Sequence, residues 1–125
     1  MSVITETMNL GDLLKFEAPN LYSRDQVTVA SGRTLSLGTV VATRTATGEV
    51  VQLDPAATDG ADLACGVLLG DINAEAADRT DGLLVARHAI VAAHALVWPA
   101  GITSEHKAAA VAQLKHLGIL IRASA

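Results

Sequence analysis

At 125 residues, half of them apolar, the chain is long enough for one domain with a real core and too short for two. A formal net charge of −4, with only nine Lys plus Arg, and those scattered, excludes the clustered positive charge that phosphate backbones demand, so no nucleic-acid partner is expected. One Phe, one Tyr and one Trp leave a core of Ala, Val, Leu and Ile, thin enough that association with a partner would add stability.

Residues 1–22 have no sustained period, with Gly11 and Pro19 as breaks and Leu10, Leu13, Leu14 and Phe16 as isolated apolar anchors. A frayed terminus is the ordinary reading. A solvated tail has no use for a Leu-Leu-x-Phe cluster, however, and an arm that orders on a partner does. The segment Met1 to Thr7 carries Glu6 and no basic stretch, so no secretory signal is expected and synthesis is assigned to the cytoplasm.

From Gln26 the pattern changes to period two. Val27 and Val29, Leu35 and Leu37, and Val41 lie in short Thr- and Val-rich runs broken by Ser31-Gly32 and Gly38, which predicts strands. Thr39 to Thr45 and Glu49 to Leu53 flank Ala46-Thr47-Gly48 and predict a hairpin with Gly48 at positive φ. Asp54-Pro55 ends it, and residues 55–62 predict a surface loop. Ala64 to Ile72 is nearly continuous apolar sequence containing Gly66 and Gly70; a helix would lose about 1 kcal/mol at each glycine, so a buried strand is predicted. Asn73 to Gly82 predicts a loop. Leu83 to Trp98 predicts a strand buried on both faces with a break near His94. It is shorter than the roughly 20 residues of a membrane helix, so no membrane partner is expected.

The C-terminal fifth, LVWPAGITSEHKAAAVAQLKHLGILIR, is the most clearly punctuated stretch. Pro99 and Gly101 stop the preceding run, and Thr103 or Ser104 can cap a helix whose first turn carries Glu105. Ala110, Val111, Leu114 and Leu117 form one stripe, and Gly118 suits a left-handed cap. Ile119 to Ile121 predicts a closing strand. The fold class is therefore mainly β: a small β-rich domain (23–125) with one C-terminal helix and a flexible N-terminal arm (1–22).

Chemistry is not forthcoming from these residues. His106 and His116 point to different faces of one helix, and His88 and His94 have no carboxylates at ligand spacing, so no metal is assigned. Cys65 is single, which excludes an intramolecular disulfide, and it sits in an apolar run where a buried inert thiol is the ordinary reading. The pairs Asp59/Asp62 and Asp78/Asp81 lie in polar loops, and no phosphate-binding loop occurs. No catalytic residue and no cofactor is assigned. Trp98-Pro99 reads better as a core or interface anchor than as a stacking platform.

The run AxGVLLGDI (Ala64 to Ile72), the LVWP at Leu96 to Pro99, and the helix and strand that follow, in this order behind an apolar arm, resemble the head decoration, or capsid cement, proteins of lambda-like phages. The resemblance covers the chain from about Arg24 onward. It implies a structural virion protein, encoded by a phage or prophage. Such proteins assemble as homotrimers over threefold sites on the exterior of an expanded shell, bind the major capsid protein and resist the pressure of packaged DNA. It places capsid binding on the arm, with Leu10, Leu13, Leu14 and Phe16 as anchors, and makes Trp98 and Pro99 a core or trimer anchor. Two other readings stand beside it: a small-molecule or carbohydrate-binding β module using Trp98, and an enzyme using Cys65.

Overall fold

The computed structural model describes residues 10–123. The chain opens with a single helical turn, α1 (Leu10–Leu13), that runs directly into β1 (Leu14–Glu17), followed by a 3-10 turn at Pro19–Leu21. Then come β2 (Arg24–Val29), β3 (Thr34–Leu35), β4 (Val40–Thr43), β5 (Val50–Gln52), β6 (Ala64–Leu68), β7 (Ile72–Asn73), β8 (Arg79–Val85) and β9 (Ala89–Ala92). A 3-10 turn at Ala93–Ala95, the helix α2 (Ser104–His116) and β10 (Ile119–Arg122) complete the domain. The mainly β architecture with one long C-terminal helix matches the expected fold class. Among the described residues no helix is long and apolar enough to cross a membrane.

Five strands close a barrel in the order β2-β5-β4-β6-β8. Beside it lies a three-stranded sheet, β1-β9-β10, in which β9 pairs antiparallel with β1 and parallel with β10. A ribbon of β3 and β7 accompanies the barrel. Alternate residues of the barrel strands enter two different cores, as the period-two pattern requires. Val40, Ala42, Val51, Val67 and Val85 join Leu13, Val91, Ala110, Leu114 and Ile119 in the larger one, where barrel, sheet and helix meet. Val29, Val41, Val50, Leu68 and Leu84 join Leu35 and Ile72 in the smaller.

The hairpin forms as expected, with Val41 opposite Gln52 and Gly48 at φ +73°. The helix is capped by Thr103, whose hydroxyl oxygen accepts from the His106 N–H at 3.1 Å. Of its stripe, Ala110 and Leu114 are buried, while Val111 is half-buried and Leu117 lies open at the C-terminal cap, so the helix touches the barrel along a narrow line.

Three expectations change. The segment Asn73 to Gly82 is not all loop: Arg79 to Gly82 already belongs to β8, with Gly82 opposite Val27 and Arg79 opposite Val29. Polar Arg79, Thr80 and Asp81 lie on the exposed part of that strand, which hides the strand pattern. Gly82 is there because a Cβ would sit 2.7 Å from a Val29 methyl. The predicted strand from Leu83 to Trp98 breaks twice, at Arg87-His88 as well as near His94. His88 takes φ +49°, and this corner carries the chain from the barrel into the three-stranded sheet. The Ala64 to Ile72 run likewise divides at Leu69 to Asp71, where the Asp71 carboxylate accepts from the Leu37 N–H at 2.7 Å.

Candidate functional site

Residues 1–9 of the expected arm lie outside the described residues; from Leu10 onward the segment is packed on the domain. Leu13 is fully buried in the larger core, and Leu10 and Leu14 pack against that core from its edge. Phe16 differs, with 54 % of its surface exposed. The four apolar anchors thus divide into three that attach the segment to its own domain and one that faces outward. A register shift in β1 produces the division: Leu14 lies opposite Val91, but Phe16 lies opposite Ile90, so the residue between them, Lys15, is the extra one of a bulge.

A polar network pins the stretch after β1 to the corner between β8 and β9. The Ala18 N–H donates to the Ser23 hydroxyl oxygen at 3.0 Å, and that buried hydroxyl donates to the His88 carbonyl at 2.8 Å. Arg24 grips Glu17 with two parallel hydrogen bonds of 2.7 Å each, the bidentate form that fixes geometry as well as charge. Arg87 donates to the Tyr22 carbonyl and to the Asp25 carboxylate, each at 2.7 Å, and lies 5.5 Å from the Tyr22 ring centre. The Tyr22 ring in turn lies 5.3 Å from that of His88. The sequence pattern gave no sign of Glu17, Ser23, Arg24 and Arg87, because each pairs across a long separation or a turn and none belongs to a local motif.

The Arg24 guanidinium beside Glu17 holds its carboxyl below the usual glutamate range. A carboxyl whose folded value is depressed adds stability above its unfolded value and loses it as pH falls through the folded one. Glu17→Gln is therefore expected to melt below wild type at neutral pH, and the gap should close on acidification below about 4.3, the ordinary glutamate value. Paired thermal melts from pH 7 to pH 3 check this; a gap independent of pH would show that the pair contributes nothing through its charge.

The outer edge of β1 carries no strand among the described residues, since β9 occupies its only paired side. Among the described residues, therefore, that edge of the sheet is open directly after α1.

Elsewhere the site residues of the alternative readings are placed as follows. Trp98 is half-buried against the larger core, and the Lys107 ammonium of α2 lies 5.4 Å from its ring centre. Pro99 follows, its carbonyl accepting from the Ile102 N–H at 3.2 Å as the chain turns into α2. Cys65 borders an apolar groove of about 570 Å3 together with Leu63, Gln113, His116 and Leu117. Burial pushes the Cys65 thiol up, away from the thiolate a nucleophile needs, although the Thr43 hydroxyl lies 3.3 Å from its sulfur. Asp81 is bound by Arg79 at 2.6 Å and Asp59 faces Arg44 at 3.7 Å, all on the surface. Among the described residues no three His, Cys, Asp or Glu side chains converge as a metal site.

What the arrangement offers is contact surface: a pinned edge strand, two exposed aromatic side chains, Phe16 and Tyr22, and a β-rich body behind them. Comparison with curated protein sequences gives no match. The family model described as bacteriophage lambda head decoration protein D, in contrast, matches residues 3–119, and the chain belongs to that family of structural proteins of the phage capsid.

Proposed function

We propose that the chain is a capsid cement protein that binds the major capsid protein on the exterior of an expanded phage shell. In this reading it sits as a homotrimer over threefold sites and stabilises the shell against the pressure of packaged DNA. The observation that carries it is the edge of β1 that no strand pairs among the described residues, held in place by the Leu13 anchor and the Glu17–Arg24 and Ser23–His88 bonds. An exposed edge with unpaired N–H and C=O groups accepts a strand from a partner. The apolar arm is thereby divided in function. Leu10, Leu13 and Leu14 root it on its own domain, and residues 1–9 together with Phe16 are left for the capsid. A net charge of −4 suits a protein on the outside, away from the packaged nucleic acid.

Deletion of residues 1–9 tests this. The truncated chain is expected to keep its melting midpoint and its mass in solution, and to lose co-sedimentation with expanded capsids of the parent phage lacking their decoration protein. Full binding by the truncated chain would remove the arm from the mechanism. Failure of the intact chain to bind either expanded or unexpanded capsids would overturn the capsid reading altogether. The trimer is checked separately on the decorated shell, where three copies of the chain over each threefold site are expected.

A further inference from the structure

The barrel is not closed equally along its seams. β2 pairs with β8 from Arg24 to Val29, and the β4–β5, β4–β6 and β6–β8 seams each pair more than one residue, whereas β2 and β5 meet only at the parallel pair Val29 and Val50. Just past that pair the Ala30 N–H donates to the Val50 carbonyl at 3.0 Å. Both valines are buried in the smaller core, so an opening here would admit water to it. A barrel is free of strand edges only while every seam holds, and this seam has the least backbone pairing to hold it. Two carboxyl groups stand at it. Glu49, half-buried, immediately precedes Val50, and Asp78, exposed, immediately precedes β8. Asp78 is tied to the end of β2 by the Ser31 N–H, which donates to its carboxylate at 2.8 Å. The side chains of Glu49 and Asp78 face each other: a hydrogen bond between them holds Glu49 above the usual glutamate range and Asp78 below the usual aspartate range. The groups around the pair do not neutralise it. The Thr47 hydroxyl and Arg44 favour ionised Glu49, and Ser31 and Arg44 favour ionised Asp78, but Arg44 is shared with Asp59 at 3.7 Å. Arg79, next to Asp78 in the chain, is bound to Asp81 at 2.6 Å.

We infer that Glu49 and Asp78 form a proton-operated latch on the barrel. When the two share one proton, the Glu49 carboxyl donates to the Asp78 carboxylate, and β5 is tied through Asp78 and the Ser31 N–H to the end of β2. When both are ionised they repel, and the β2–β5 seam opens ahead of the others. The proton comes from solvent and returns to it, so the latch needs no ligand. Its pH window follows from the two directions. Glu49, raised in the fold, contributes stability that is complete below its unfolded value of about 4.3 and is lost as pH rises through its folded value. Asp78, lowered in the fold, contributes stability that is present above its unfolded value of about 3.9 and is lost as pH falls through its folded value. The latch therefore holds best at about pH 4 and releases on either side.

Hydrogen exchange of the full chain, read amide by amide and corrected for the intrinsic rate at each pH, tests this. The Ala30 amide reports the seam. The Leu68 amide, which donates to the Thr39 carbonyl at 2.9 Å, and the Leu69 amide, which donates to the Leu83 carbonyl at 2.8 Å, report the rest of the barrel and show that each variant is folded. At pH 7 Ala30 should exchange about tenfold faster than Leu68 and Leu69, since local opening precedes global unfolding at the least-paired seam. Its protection should rise severalfold towards about pH 4 and fall again at lower pH, while that of the other two does not follow. Glu49→Ala should leave Ala30 weakly protected at every pH. Glu49→Gln, whose amide donates to ionised Asp78 without a proton from solvent, should protect Ala30 at pH 7 as well as the wild type is protected at its optimum. Equal exchange of Ala30, Leu68 and Leu69 at pH 7 would overturn the seam. A profile for Ala30 that is flat with pH in the wild type, or one that survives in Glu49→Ala, would overturn the latch.

Discussion

Replacing Leu13 with Ala is expected to cost about 2–5 kcal/mol of folding stability, the range for emptying a large aliphatic site in a packed core. Leu13 is among the largest fully buried side chains, and it fills the space between α1, the three-stranded sheet and the larger core. Few aromatic residues are available to close over such a cavity, so little relaxation is expected. The midpoint of thermal unfolding should drop by roughly 10 °C or more. Phe16→Ala, three residues on, should leave it unchanged, since more than half of that ring is already in water. The contrast decides what the Leu-Leu-x-Phe cluster is for. If Leu13→Ala melts as wild type does and only capsid binding falls, Leu13 is a partner contact that the free domain does not use. If both variants destabilise the domain equally, Phe16 is a core residue and the outward face has no anchor.

Much of the fold is legible in the sequence where local rules act alone. The turn at Gly48 needs positive φ, the helix from Ser104 needs the Thr103 cap, and the closing strand follows a glycine at φ +86°; each is a short-range constraint written in adjacent residues. The failures occur where a distant partner overrides the local pattern. Arg79 to Gly82 reads as a polar loop, yet it is a strand because β2 lies beside it and Gly82 makes room for Val29. His88 has no sequence feature of a turn, and its left-handed conformation is held by what surrounds it: its carbonyl accepts from both Ala18 and Ser23, 65 or more residues away in the chain. The candidate site suffers in the same way. The apolar anchors of the arm are visible as residues, but which of them faces inward depends on a one-residue bulge at Lys15 that only the pairing with β9 reveals.

Trp98→Ala is expected to lower folding stability by about 2–3 kcal/mol, close to the transfer energy of a large apolar side chain. Both sides of the residue are fixed, so the ring has no alternative seat. Val97 bridges to Thr39, its N–H donates to the Gly38 carbonyl at 2.9 Å, and its carbonyl accepts from Val40 at 3.1 Å. On the other side Pro99 starts the turn into α2. The ring therefore bridges the barrel and the helix, with Lys107 placed over it from α2. Lys107→Ala should cost about 0.5–1 kcal/mol, and in the Trp98→Ala background it should cost nothing further, because the ammonium then has no ring to face. A binding platform behaves oppositely: its aromatic face must be free in the absence of ligand, and its removal abolishes binding without loosening the fold. Wild-type stability in Trp98→Ala, with loss of a bound sugar or other small ligand, would thus restore the ligand-binding reading. A ring faced by Lys107 and half-buried against the core is a packing anchor rather than a free platform.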